Sequence, residues 1–163
     1  MAGTSVSVDR VIRAPAASIF DVVADVSRHP EMDGSGALVK PKGAVPQRLS
    51  MGSTFGMSMK LGVPYSTTNT VIEFEPDRRI AWQTVLAGPL GRFVGGRIWR
   101  YELEGVDGGT KVTETWDISR DKQAFLLRHK KVGEQTAASM STTLGRLAEI
   151  TEAAGTGPQG TGS

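Results

Sequence analysis

The stretch from Val132 to Ala154 constrains this chain more than any other. With Phe125 at zero on a helical wheel and about 100° per residue, Val132, Met140, Leu144, Leu147 and Ile150 share one stripe, and Arg146, Glu149 and Glu152 fall away from it. A helix of this kind must lay its apolar stripe on something. The partner has to come from the run of alternating segments that precedes it.

Those segments begin at Ser5–Arg13, where Val6, Val8 and Ile12 alternate with Ser7, Asp9 and Arg13. Ala14-Pro15 ends this strand, and Ala16–Asp25 carries Ile19, Phe20, Val22 and Val23 on one side of a short helix. Ser27, His29-Pro30 and Asp33-Gly34 break it into turns. Pro41 and Pro46 make the segment from Gly36 to Leu49 an edge strand with irregular ends. Then come four sharper rows: Phe55, Met57, Met59 and Leu61; Thr68, Thr70, Ile72 and Phe74; Ile80, Trp82, Thr84 and Leu86; and, after a glycine-rich connection from Gly88 to Gly96, Trp99, Tyr101 and Leu103. Gly62-Val63-Pro64 and Pro76-Asp77 read as turns between them. Asp107-Gly108-Gly109 is a strong hairpin signal, leading into Val112, Glu114, Trp116 and Ile118. Asp121 can cap a helical segment from Lys122. An unbroken helix from there to Ala154 would be about 50 Å long, too long for so small a domain, so a break is expected near Gly133.

Strands joined by short turns are antiparallel. The expected fold is therefore α+β: a curved antiparallel sheet of about seven strands wrapped around a long C-terminal helix, with one or two short helices after the first strand. A single domain is expected over residues 1–154, followed by a disordered Gly/Thr/Pro-rich tail over 155–163. The net charge is only +2, and Arg128-His129-Lys130-Lys131, the one dense basic run, reads as a solvated helix face, so no nucleic-acid partner is expected. No cysteine occurs, which removes disulfides and thiolate chemistry. No charged-then-apolar leader and no spanning apolar run is seen, so the expected location is the cytoplasm, without integral membrane insertion. Oligomeric state is left open.

Turning the apolar face of each strand inward gathers Phe55, Met57, Met59, Ile72, Phe74, Trp82, Trp99, Tyr101, Val112 and Trp116, to which the helix adds Met140 and Leu144. Methionine adapts to irregular shapes, and Trp and Tyr combine an apolar body with one polar tip. One helix rarely fills the concavity of so long a sheet, so a cavity is expected. Glu114 shares the apolar row of its strand with Val112 and Trp116. A buried carboxyl there either finds a partner, such as Arg97 or Arg100, or has its pKa raised, and it could then orient a ligand hydroxyl or act as an acid or base. Tyr101 could polarise a carbonyl beside it. His129 falls in the helical stripe only if the helix runs unbroken, and its basic neighbours argue for solvent. His29, before a proline in a turn, reads as structural. The Gly155 to Gly160 spacing of a dinucleotide fingerprint lacks the strand before it and the helix after it. The Ser119 and Lys122 spacing of penicillin-recognising enzymes lacks its companion motifs. Two distant histidines without cysteine make neither a metal site nor a cofactor an expectation.

Several strings in this order resemble the polyketide cyclase/dehydrase and lipid-transport superfamily, which shares the helix-grip fold of START and pollen-allergen proteins. They are Val11-Ile12-Arg13-Ala14-Pro15 running into Ile19-Phe20-Asp21-Val22-Val23-Ala24-Asp25, Arg28-His29-Pro30-Glu31, the stretch from Ile72 to Trp82, the stretch from Gly109 to Trp116, and Leu144-Gly145-Arg146-Leu147. The resemblance spans about Val6 to Thr151 and implies a deep cavity between sheet and last helix. It carries no shared catalytic signature. The function expected is binding or carrying of a small hydrophobic ligand. The alternatives are a cyclase or aromatase-type enzyme using Glu114, and a protein-interaction module of the same fold.

Overall fold

The computed structural model describes residues 3–155. β1 (Ser5–Ile12) is followed by α1 (Ala16–Val23), a 3₁₀ turn and the short α2 (His29–Met32). Then come β2 (Leu38–Lys42), β3 (Thr54–Leu61), β4 (Val63–Glu75), β5 (Arg79–Leu86), β6 (Gly95–Val106) and β7 (Gly109–Asp117). A single turn, α3 (Ala124–Leu127), precedes the long α4 (Lys130–Gly155). Each strand from β2 to β7 pairs antiparallel with its sequence neighbour, and β1 returns to pair with β7, giving the order β1-β7-β6-β5-β4-β3-β2. This is the expected α+β architecture, a curled seven-stranded antiparallel sheet with a long C-terminal helix.

The curl has a local cause. The register slips between Val71 and Glu73, between Thr84 and Val85, and between Leu38 and Lys40. An extra residue on one strand bends it and increases its twist. α4 lies in the resulting concavity, packed on β1, β7, α1 and α2. Its inward residues follow the expected stripe: Met140, Leu144 and Leu147 are buried, and Val132 and Ile150 are half-buried. Polar members of the stripe satisfy themselves within the helix. Thr151 donates to the Leu147 carbonyl at 2.8 Å and Thr143 to the Ser139 carbonyl at 3.0 Å.

Three sequence expectations need correction. The helix break falls at Arg128-His129 instead of near Gly133, because His129 caps the helix: its Nδ1 accepts the Lys131 N–H at 3.3 Å, and its carbonyl accepts the N–H groups of Val132 and Gly133. Gly133 is buried within the first turn of α4. In β4 the row Thr68, Thr70 and Ile72 is not the inner one. Thr67, Asn69 and Val71 are buried, and the bulge after Val71 shifts the phase so that Phe74 again packs against the core. Val63 and Pro64 belong to β4 and pair with Leu61 and Lys60, leaving Gly62 as the turn. The tail expected at the C-terminus lies, from residue 156, outside the described residues. Among the described residues no helix is long and apolar enough to cross a membrane.

A candidate ligand cavity under the sheet

A cavity of about 580 Å³ lies between the concave face of the sheet and the first half of α4. The strand pleat brings its walls together. β3 supplies Phe55, Met57 and Met59, β5 supplies Trp82, β6 supplies Trp99 and Tyr101, and β7 supplies Glu114 and Trp116. Register aligns them, since Trp82 pairs with Trp99, Trp99 with Trp116, and Tyr101 with Glu114. The Trp99 and Trp116 rings are 6.4 Å apart and the Trp82 and Tyr101 rings 5.7 Å. α4 contributes Met140, together with Gln135, Thr136, Ser139 and Thr143. These smaller or polar side chains do not fill the space.

Of the residues turned inward by alternation, Phe55, Met57, Met59, Trp82, Trp99, Tyr101, Trp116 and Met140 line this cavity, and so does Glu114; Phe74 and Leu144 do not. Both lie at the other end of the interior, where α1 fills the gap. The Phe74 ring packs edge-on against Phe20 at 5.5 Å, and Leu144 is in the buried core. Ile72 and Val112 of the wider inward set are likewise absent from the walls. His129 is exposed.

Other wall residues were not expected. His29 is buried, stacks on Trp82 at 5.0 Å and meets Phe55 edge-on at 5.6 Å. Its Nε2 lies 2.7 Å from the Val23 carbonyl, which can only accept, so Nε2 carries the proton. Burial holds its pKa below the usual imidazole range, against the pull of that hydrogen bond and of Asp25 and Asp33. A second polar group sits on β4 and β5. Thr84 donates to Asn69 Oδ1 at 2.6 Å, and Asn69 Nδ2 donates to the Phe55 carbonyl at 3.2 Å and to Thr67 at 3.3 Å. The bulge conceals this group from a period-two reading.

Glu114 is 3% exposed. Tyr101 donates its hydroxyl to Oε1 at 2.9 Å, while Oε2 is buried with no hydrogen-bond partner among the described residues. The two arginines that could have paired with it are engaged elsewhere. Arg97 meets Asp121 at 3.0 Å, and Arg100 binds Glu73 on the outer face at 2.6 Å. Burial pushes the Glu114 carboxyl up to about 8; the Asp33 charge adds to this and the Tyr101 hydrogen bond opposes it. Burial also raises the Tyr101 phenol well above its ordinary range. Near neutral pH the pair is therefore mostly acid and phenol, and both carry protons.

The β3–β4 hairpin, the β5–β6 connection and α3 contribute to one part of the cavity wall. Leu61, Leu86, Val94, Gly95, Leu127 and Val132 line it. Gln123 ties two of these segments together, accepting the Gly95 N–H and donating to the Phe93 carbonyl, both at 2.8 Å. Phe93 and Phe125 on the tied segments are 64% and 75% exposed. The α2–β2 loop contributes Asp33, Ser35 and Ala37 to the wall. There Gly34 donates its N–H to Thr143 at 2.9 Å, and a Cβ at Gly34 would stand 2.3 Å from the Ser139 carbonyl oxygen. Only glycine permits this approach to α4.

Residues 3–152 match the model of the family described as polyketide cyclase / dehydrase and lipid transport. Rv0088, an uncharacterized protein of Mycobacterium tuberculosis, is 41% identical over 108 residues, 65% of this chain and 44% of that protein. The match thus spans less than half of that relative's length. Among solved structures, protein NE0264 from Nitrosomonas europaea superposes with a TM-score of 0.70 at 15% identity, covering 95% of this chain and 98% of that one. DynU16, from the dynemicin biosynthetic locus, gives a TM-score of 0.65 at 19% identity over 93% of this chain and 48% of its own. At these identities the structural likeness is one of fold.

Proposed function

Since the chain belongs to the polyketide cyclase/dehydrase and lipid-transport family, we propose that it binds and carries a small apolar molecule between its sheet and α4. The observation that supports this most is the unfilled space of about 580 Å³ walled by aromatic and methionine side chains. Its volume falls within the roughly 300–1,000 Å³ of ligand pockets, and apolar walls with a few placed polar groups are the usual chemistry of such sites. A filled core would have closed this gap, because voids at this scale forfeit packing energy. Native mass spectrometry of freshly purified protein, followed by denaturation and identification of what is released, tests the reading. The expected result is a co-purifying apolar compound. An apo mass, together with a melting temperature that no member of a broad lipid and aromatic panel moves, would overturn it.

A cyclase or aromatase-type activity is the second reading, and Glu114 is what favours it. A carboxyl held protonated near neutral pH beside a phenol can serve as a general acid. On this reading Glu114→Gln abolishes turnover while ligand binding survives. Turnover unchanged in that variant would remove Glu114 from the mechanism.

A further inference from the structure

The deepest polar feature of the cavity is an unmet hydrogen-bonding group. Glu114 presents two oxygens. Oε1 accepts from Tyr101, and Oε2 is buried and bonds to nothing among the described residues, on a side chain that itself lines the cavity. Native proteins rarely leave a buried polar atom unpaired, and each instance asks for an explanation. Here the rest of the fold supplies none.

The neighbours fix what the missing partner must be. The groups that act on Glu114 are Tyr101 from β6 and Asp33 from the α2–β2 loop, and His29 from α2 lines the same cavity. Tyr101 is a donor to Oε1, His29 is neutral, and Asp33 is spent on the N–H and hydroxyl of Ser35 and the N–H of Leu38. α4 faces the cavity with no titratable side chain, and Arg97, the one wall cation among the described residues, is paired with Asp121. No cation among the described residues balances a carboxylate at Glu114. The acid form therefore persists, and with Oε1 accepting from Tyr101 the acid proton resides on Oε2. That O–H is a donor and calls for an acceptor. An anionic acceptor would find no free cation on the cavity wall among the described residues, and burying an unpaired charge is costly.

We infer that the ligand is an uncharged, largely apolar molecule that places a ketone or similar oxygen against Glu114 Oε2, and that the cavity discriminates against carboxylates such as free fatty acids. This rests on the cavity being a ligand site, and it adds the chemical class that the site selects.

Three probes with one ring system separate the two levels: naphthalene, its methyl ketone and its carboxylate, each titrated calorimetrically into the intact protein. At about pH 6.5 the ketone should bind roughly five- to tenfold more tightly than naphthalene, the worth of one buried hydrogen bond, and the carboxylate more weakly than naphthalene. At about pH 9 the ketone's advantage should shrink in the wild type as Glu114 ionises. Glu114→Gln, whose amide can donate from the same position, should keep the advantage at both pH values, and Glu114→Leu should lose it at both. Carboxylate binding as tight as the ketone's, or a ketone advantage that survives Glu114→Leu, would overturn the inference. If the leucine variant does not fold, the pH contrast between wild type and Glu114→Gln decides, since a wild-type advantage flat in pH overturns it equally. Naphthalene binding without any ketone advantage sinks this inference alone. Binding of none of the three sinks it together with the carrier reading.

Discussion

At the α1 end of the interior, Ile19, Phe20 and Val23 fill the space between Ile12, Ile80, Leu103 and Val112 on the sheet and Leu144, Leu147 and Ala148 on α4. At the β3 end the same sheet curves over the first half of the same helix, and about 580 Å³ stays open. Two differences separate the ends. At the open end only the single-turn α2 and α3 reach the wall beside α4, through His29, Met32 and Leu127, and α4 faces it mostly with the small or polar Gln135, Thr136, Ser139 and Thr143 beside Val132 and Met140, where further along it presents Leu144 and Leu147. The general hydrophobicity of the helix does not decide where a cavity forms. The size of the inward residues, turn by turn, does.

Truncation on either side gives the largest expected contrast. Phe20→Ala should cost about 3–5 kcal/mol, because the Phe20 side chain is fully buried among core residues that relax poorly. Met57→Ala, equally buried but bordering space that is already empty, should fall near or below the low end of the range for such changes, about 2 kcal/mol. Urea unfolding of both variants measures this. Equal losses would mean that the open end is as tightly packed as the closed one.

The next largest effect distinguishes the ends by pH. At the open end the folded-state pKa of Glu114 is raised from 4.5 to about 8. The stability linked to its protonation is full below about pH 4.5 and is lost as pH rises through about 8, a change on the order of a few kcal/mol. His29 acts with the opposite sign. Its pKa is lowered from 6.5, so its contribution is present above that value and lost as pH falls through the lowered one. Glu114→Gln should therefore remove the alkaline decline and leave the acid one. An alkaline decline that persists in this variant would show that Glu114 is not its source.

How much of this arrangement could be read from the chain alone follows the same division. The closed end was legible because its apolar residues repeat cleanly: period two in β6 and β7, and the Leu144, Leu147 and Ile150 spacing in α4. The two residues wrongly assigned to the pocket, Phe74 and Leu144, have the correct inward orientation but the wrong end, and periodicity carries no information about position along the groove. Thr67 and Asn69 were hidden by the bulge after Val71, a single extra residue that inverts the inner and outer faces of the strand. His29 was hidden because His-Pro after a short helix signals a turn, while its burial depends on Trp82 and Phe55, both more than twenty residues away. Glu114 was legible, since a carboxyl between Val112 and Trp116 breaks the pattern of its own strand. The arginine partners considered for it lie elsewhere because the pleat directs Arg100 to the outer face, toward Glu73 and Asp117.

A smaller effect, of about 1–3 kcal/mol, is expected where the open end is held to α4. Gly34→Ala should destabilise by that amount, since the added Cβ would meet Ser139 and Thr143 backbone atoms at 2.3 and 2.7 Å. Gly145→Ala, inside α4 with only an Arg10 guanidinium nitrogen at 3.7 Å, should instead stabilise by about 0.5–1 kcal/mol through helix propensity. Opposite signs in thermal unfolding would establish that the loop seat, and not glycine in general, is what the cavity wall depends on.

The smallest change tests the wiring of the open end itself. Tyr101→Phe removes the hydroxyl that donates to Glu114 Oε1 and should cost about 1 kcal/mol near neutral pH, the net value of one such bond. The direction of its pH effect is more informative than its size. The Tyr101 hydrogen bond is the one influence that lowers the Glu114 pKa against burial and Asp33. Without it the carboxyl should hold its proton more firmly, and the alkaline decline in stability should move to higher pH than in the wild type. A shift to lower pH would mean that Tyr101 stabilises the neutral acid, and that Oε2 does not carry the acid proton.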